Sequence, residues 1–142
     1  MKKGLKSNDV LSKLRNELIE LGFEVEKGKK SKEKILRPVF FGENAQATVK
    51  YEIDAFNSEW KCGLEIEAAR AWMGNAIYRD LIQGLVMVDL EHLIIAVPQE
   101  YKHKSKGKSV ISKDYQNSRN LIDTLYSHTR FKLPYDLTLI GY

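Results

Sequence analysis

The sequence predicts an α/β fold, a sandwich with a mixed β-sheet flanked by α-helices, and three observations carry that expectation. Residues 47–54 and 60–67 alternate apolar and polar side chains as half-buried strands do; helical periodicity precedes and follows this pair; and strand and helix patterns return in the second half. A length of 142 residues fits one domain, 1–142, and 43% hydrophobic with 30% charged residues excludes a disordered chain.

The first helix is expected after the capping residues Ser7 and Asn8. Val10, Leu11, Leu14, Leu18 and Leu21 then recur at helical spacing until Gly22 stops them. Glu17 lies on the border of that stripe, from which it can look back into the fold. Phe23–Glu26 is a short strand. Ile35–Phe41, with Pro38 inside, predicts an edge strand or a bulge, and Gly42–Gln46 a turn.

From Ala47 to Asp54, Val49, Tyr51 and Ile53 share one face, while Thr48, Lys50, Glu52 and Asp54 share the other. After a polar turn, Trp60–Glu67 is the next strand, with Leu64 and Ile66 opposite Glu65 and Glu67. A helix is expected over 68–86, and Leu93–Val97 reads as a strand buried on both faces. The lysine-rich stretch 99–113 predicts a mobile loop. A helix capped by Asn117 or Ser118 and a last strand, Leu137–Ile140, complete the order α-β-β-β-α-β-α-β.

No apolar run is long enough to cross a bilayer, so no membrane association and a cytoplasmic location are expected. Cys62 is the sole cysteine, which excludes an internal disulfide and a thiolate-rich zinc cluster. His92, His103 and His128 show no metal-ligand spacing, and no phosphate-binding glycine loop is present. Trp60 and Trp72 suit packing, whereas Tyr101 and Tyr115 are better placed to meet bases.

The chemistry-bearing pattern is Asp54 followed by Glu65-Ile-Glu67. Residues two apart on a strand point the same way, roughly 6–7 Å apart at Cα, so Glu65 and Glu67 are neighbours. If the strands pair as a hairpin, Asp54 approaches Glu65. Converging carboxylates repel unless a cation or proton compensates, and an oxygen-only set suits Mg²⁺ or Mn²⁺. Asp54 and Glu65 are therefore the expected metal ligands, Glu67 orients or deprotonates the attacking water, and Glu17 adds an outer carboxylate.

The net charge is +4, and the cations cluster at 27–37 and 102–113. Lys29, Lys30, Lys32, Lys50, Arg70, Lys104, Lys106 and Lys108 are the candidates to hold DNA phosphates.

Asp54, ten intervening residues and Glu65-Ile-Glu67, set on a hairpin and followed by a helix, resemble the PD-(D/E)XK, or restriction endonuclease-like, nuclease superfamily. The likeness covers most of the chain as element order and about a dozen residues as motif. Ile53 stands where that family's Pro would be. Glu67 stands where Lys is usual, similar to the Glu-x-Glu variant of the BamHI and BglII type of restriction endonuclease. Gly74-Asn75 and Arg79-Asp80-Leu81 also resemble the segment after the motif in the BglII-like enzymes. Lys50, Lys61 and Arg70 are the cations available to replace the lysine.

The resemblance implies a Mg²⁺-dependent DNA endonuclease serving restriction, repair or junction processing, a homodimer if both strands are cut. The alternative is a noncatalytic nucleic-acid-binding or protein-interaction domain that keeps the fold.

Overall fold

A computed structural model describes residues 5–28, 30–68 and 71–142. Helix α1 (Ser7–Glu20) begins one residue earlier than the capping pattern suggests, with Lys6 at the N-cap and its N–H donating to Asp9 Oδ2 at 3.3 Å. Val10 and Leu11 are buried, whereas Leu14 and Leu21 are exposed, so only part of the apolar stripe is used.

Five strands form the main sheet in the order β1 (Glu24–Val25), β4 (Ala55–Asn57), β5 (Cys62–Ile66), β6 (His92–Val97) and β9 (Asp136–Gly141). β1 and β4, and β4 and β5, run antiparallel; β5, β6 and β9 run parallel. The sheet is therefore mixed. The parallel joins pass through helices α2 (Ala76–Val86) and α3 (Asp114–Ser127), as parallel connections require. Among the described residues, no helix is long and apolar enough to cross a membrane.

Alternation along the strands gives the sheet two apolar faces. Leu64, Ile66 and Ala96 join Val10 and Leu11 beneath α1. Leu93, Ile95 and Val97 join Ile77, Leu81 and Ile122 beneath α2 and α3. Since Leu64 and Ile66 face α1, Glu65 and Glu67 face the side of α2.

The predicted strand 47–54 ends at Ile53 and is not the hairpin partner of β5, a place taken by β4. β3 (Ala47–Ile53) pairs with β2 (Ile35–Phe41) in a separate ribbon, whose register slips after Pro38 as a bulge would make it. One residue, Asp54, then separates β3 from β4, which enters the main sheet. The ribbon is fastened to the body by an Arg37–Asp89 ion pair, by Val88 N–H donating to the Pro38 carbonyl at 3.3 Å, and by the Arg37 guanidinium 4.0 Å above the Phe56 ring.

Three expectations need correction. α2 starts at Ala76 rather than 68, because Asn75 has φ 55°, in the left-handed region, and interrupts the helix; residues 71–75 are turns. The basic stretch is an antiparallel hairpin, β7 (Tyr101–Ser105) and β8 (Lys108–Ser112), rather than a loop. Finally, α3 begins at Asp114, three residues before the expected cap, with the Asp114 carboxylate accepting from Ser112 Oγ.

Candidate functional site

Asp54 sits at the bend between the ribbon and the main sheet, and two hydrogen bonds hold it. Its carbonyl accepts from Glu26 N–H at 2.8 Å, and its carboxylate Oδ2 accepts from Ile66 N–H at 2.8 Å. Glu67 N–H turns toward β6, donating to the Ala96 carbonyl at 2.9 Å, so Ile66 N–H points the other way, beyond the last β4–β5 pair, Ala55 and Leu64. The Asp54 carboxylate thus takes the donor that the departing β3 backbone leaves unpaired.

Gly63 lies under the residue next to Asp54. A Cβ there would lie 2.4 Å from Ile53 Cδ1 and 2.9 Å from Leu90 Cδ1, so any larger residue would push these two buried side-chain ends aside. Ile53 is 1% exposed and anchors the residue next to Asp54.

Asp54, Glu65 and Glu67 line one cleft of about 560 Å³, together with Glu26, Glu52, Lys34, Lys50 and Arg79. The hairpin expected between 47–54 and 60–67 does not form; Asp54 reaches the cleft that Glu65 lines as the residue before the last β4–β5 pair, Ala55 and Leu64. Five carboxylates there meet three cations. Lys34 is already tied to Glu26, at 2.9 Å from both oxygens, and to Glu52 at 3.3 Å. Arg79 is tied to Glu67 at 2.5 Å and to Asp80 at 2.9 Å.

The protonation of these acids follows from burial and crowding. Burial raises the Asp54 pKa to about 6, against the Ile66 N–H, which favours the carboxylate; Glu26 and Asp80 add to the rise. Glu67 is raised to about 8 by burial and then by the charge of Asp80, with Arg79 opposing. Glu65, 9% exposed, is raised well above the ordinary carboxylate range by burial and by Asp54, Asp80 and Glu67. Tyr142, whose hydroxyl donates to the Glu67 carbonyl at 2.7 Å, is raised to about 12 by burial and by Glu67.

Three acids are missing from the site that the sequence predicts: Glu52, which lines the cleft from β3, Asp80 and Glu26. Asp80 is 2% exposed; its Oδ1 takes Arg79 Nε and Nη2, and its Oδ2 has no hydrogen-bond partner among the described residues. Helical spacing carries the signal, since Ala76, Ile77, Asp80, Leu81 and Gly84 form the buried stripe of α2. Glu26 is also buried, just beyond the short β1.

Glu17 does not join the site. It is exposed on α1, and Ser7, the helix residue that lines the cleft, lies ten residues earlier, about 15 Å along the axis. Of the cations expected to replace a family lysine, Lys50 lines the cleft, while Lys61 pairs with Glu91 at 2.5 Å by the opposite end of β5. Arg70 and Lys29 lie outside the described residues. Lys30 and Lys32 are exposed around a short 3₁₀ turn, Ser31–Glu33. Lys32 also lines a second groove of about 600 Å³, which adjoins the cleft through Lys34. Lys104, Lys106 and Lys108 stand on the β7–β8 hairpin.

No family model matches this chain, and no curated protein or solved structure matches it either.

Among the described residues, no group of three His, Cys, Asp or Glu side chains is placed to hold a metal ion. The expected three-carboxylate convergence is therefore narrower, and a cation would rest on the Asp54–Glu65 pair. The donor chemistry fits Mg²⁺, which takes one or two carboxylates and completes its shell with water and phosphate oxygens. Buried acids exceeding the available cations fit it as well.

Proposed function

We propose that this chain is a divalent-metal-dependent DNA endonuclease with a restriction endonuclease-like core, its active site at Asp54, Glu65 and Glu67. One observation carries the reading: three carboxylates, each opposed in its charge by burial and by neighbouring acids, face a single cleft at a strand junction. Such an arrangement costs stability and persists where a cation offsets it. The sheet supports the same reading, since an antiparallel hairpin, then a helix, then a strand parallel to the second hairpin strand, is the core order of the PD-(D/E)XK superfamily.

In this reading Asp54 and Glu65 hold Mg²⁺ or Mn²⁺, which when bound supplies charge for the scissile phosphate and acidifies a water. Glu67 accepts the proton of the attacking water. Burial raises its pKa to about 8, so it carries its own proton at neutrality and is free to accept one above about pH 8 or with a cation's charge beside it; Arg79 holds its carboxylate in place. Lys50, on the cleft wall, is the cation available to the phosphate backbone. Cleavage of both strands would call for two copies of the chain.

The test is nicking of plasmid DNA in Mg²⁺ or Mn²⁺ by the wild-type protein and by Glu65→Ala. Metal-dependent nicking by the wild type alone is expected; equal nicking by both removes the assignment. A second reading, DNA binding without turnover, is favoured by the Arg79 guanidinium that already compensates Glu67. It predicts no nicking, with salt-sensitive binding that ignores divalent metal.

A further inference from the structure

The β7–β8 hairpin serves no core. Among the described residues its strands pair only with each other, and from 101 to 112 all but Tyr101, His103 and Ser112 are exposed. Its turn, Lys106 at φ 48° and Gly107 at φ 77°, is a two-residue connection left-handed at both positions, matching the twist of a tight antiparallel ribbon. No acidic residue occurs from Tyr101 to Lys113, a stretch holding five lysines. The ladder sets Lys102 opposite Ile111 and Lys104 opposite Ser109 on one face, with His103 opposite Val110 and Ser105 opposite Lys108 on the other. Both faces are thus cationic.

The root of the hairpin fixes where it stands. In the parallel register Ile66 lies beside Ala96, so Val97 and Pro98 are level with Glu67, and the hairpin starts three residues later. It leaves the sheet at the end that carries the acidic cleft. Asp114 secures that root, accepting from Ser112 Oγ on one oxygen and from Trp72 N–H, at 3.4 Å, on the other.

We infer that the β7–β8 hairpin is an arm that enters the major groove of duplex DNA lying across the acidic cleft. Five paired residues make a ribbon about 17 Å long, enough to reach the floor of a groove about 12 Å wide and 8.5 Å deep. The major groove of B-form DNA admits a two-stranded ribbon, whereas that of A-form RNA is too narrow. The lysines would flank the phosphates, while the exposed Val110 and Ile111 would meet thymine methyl groups. This rests on the nuclease reading only in taking DNA as the ligand.

Binding to a short duplex, measured in EDTA over a range of salt, tests the arm whether or not the cleft hydrolyses DNA. Changing Lys102, Lys104, Lys106 and Lys108 together to Ala should weaken binding about 10- to 100-fold near 0.1 M salt and flatten the salt slope by roughly 3. Changing the same four to Arg should preserve both. These side chains are exposed, so the variants are expected to keep the fold, with circular dichroism as the check. A duplex whose major groove is filled by glucosylated hydroxymethylcytosine should bind about 10-fold less tightly than the plain duplex. The inference is overturned if the Ala variant binds like wild type, if the glucosylated duplex binds as well as the plain one, or if an RNA duplex of the same sequence binds as tightly.

Discussion

The acidic cleft and the basic hairpin hold charge in opposite ways. In the cleft, carboxylates from a strand bend, a neighbouring strand and a helix are buried together, and their protonation shifts accordingly. On the hairpin, lysines of a single contiguous segment stand exposed on both faces of a two-stranded ribbon. Buried, crowded charge is expensive and holds one geometry; exposed charge is cheap, screened and tolerant of position. The first arrangement suits bond-breaking at a fixed point and the second suits holding a long polyanion. The contrast also ranks what mutations should do.

The largest expected effect is on activity. Asp54→Asn or Glu65→Gln should lower Mg²⁺-dependent nicking by about 10³-fold or more, as loss of a metal ligand does, with DNA binding in EDTA changed by less than about threefold. Comparable losses in nicking and binding would mean that the cleft binds rather than cuts.

The same substitutions should stabilise the fold at alkaline pH. A carboxyl that holds its proton more tightly when folded contributes stability that is complete at low pH and is lost as pH rises from the unfolded value through the folded one. For Glu67 that window runs from the ordinary 4.5 to about 8, and for Asp54 from 3.8 to about 6. The melting temperature of the wild type in EDTA should therefore fall by about 5 °C or more between about pH 5 and pH 8. Mn²⁺ should restore part of it at the upper end. Glu65→Gln should melt higher than wild type at about pH 8 and show a flatter profile; a steeper profile would contradict the crowding described for the cleft.

Gly63→Ala is expected to cost about 1–3 kcal/mol, since its methyl group meets Ile53 and Leu90, and to reduce nicking as well, because Ile53 adjoins Asp54. Chemical denaturation beside the plasmid assay reads both. The smallest effects belong to the hairpin. The four-lysine Ala variant should leave stability within about 0.5 kcal/mol of wild type, and Gly107→Val, at a left-handed turn position, should cost about 1 kcal/mol. A larger change in denaturation midpoint for the lysine variant would show that the arm packs against the body.

The parts legible in the sequence are those set by local periodicity. Alternation puts Glu65 and Glu67, the latter one residue past β5, on the same side, whereas the short β4 that brings Asp54 to them is not legible. Ile35–Phe41 carries its bulge at Pro38 for the same reason. The illegible parts are set by tertiary context. Glu17 satisfies the helical stripe, but stripe position says nothing of distance along the helix axis, and the cleft sits at the other end. Asp80 is legible from the buried face of α2, yet an acid on an apolar face reads as surface until the neighbouring Arg79 is seen to pair with it. The hairpin reads as a loop because lysines dilute its alternation, and its register rests on the backbone of Lys106 and Gly107.

Asp54 belongs to neither sheet. It is the joint between a ribbon that projects outward and the broad platform of the main strands, so the ribbon acts on it as a lever acts on a fulcrum. Remodelling the tip of that lever, around residues 42–46, should leave the chemistry intact. A change near its root, at Arg37, Pro38 or Ile53, would tilt the carboxylate itself, so variants that alter rate without touching any acid should be sought there.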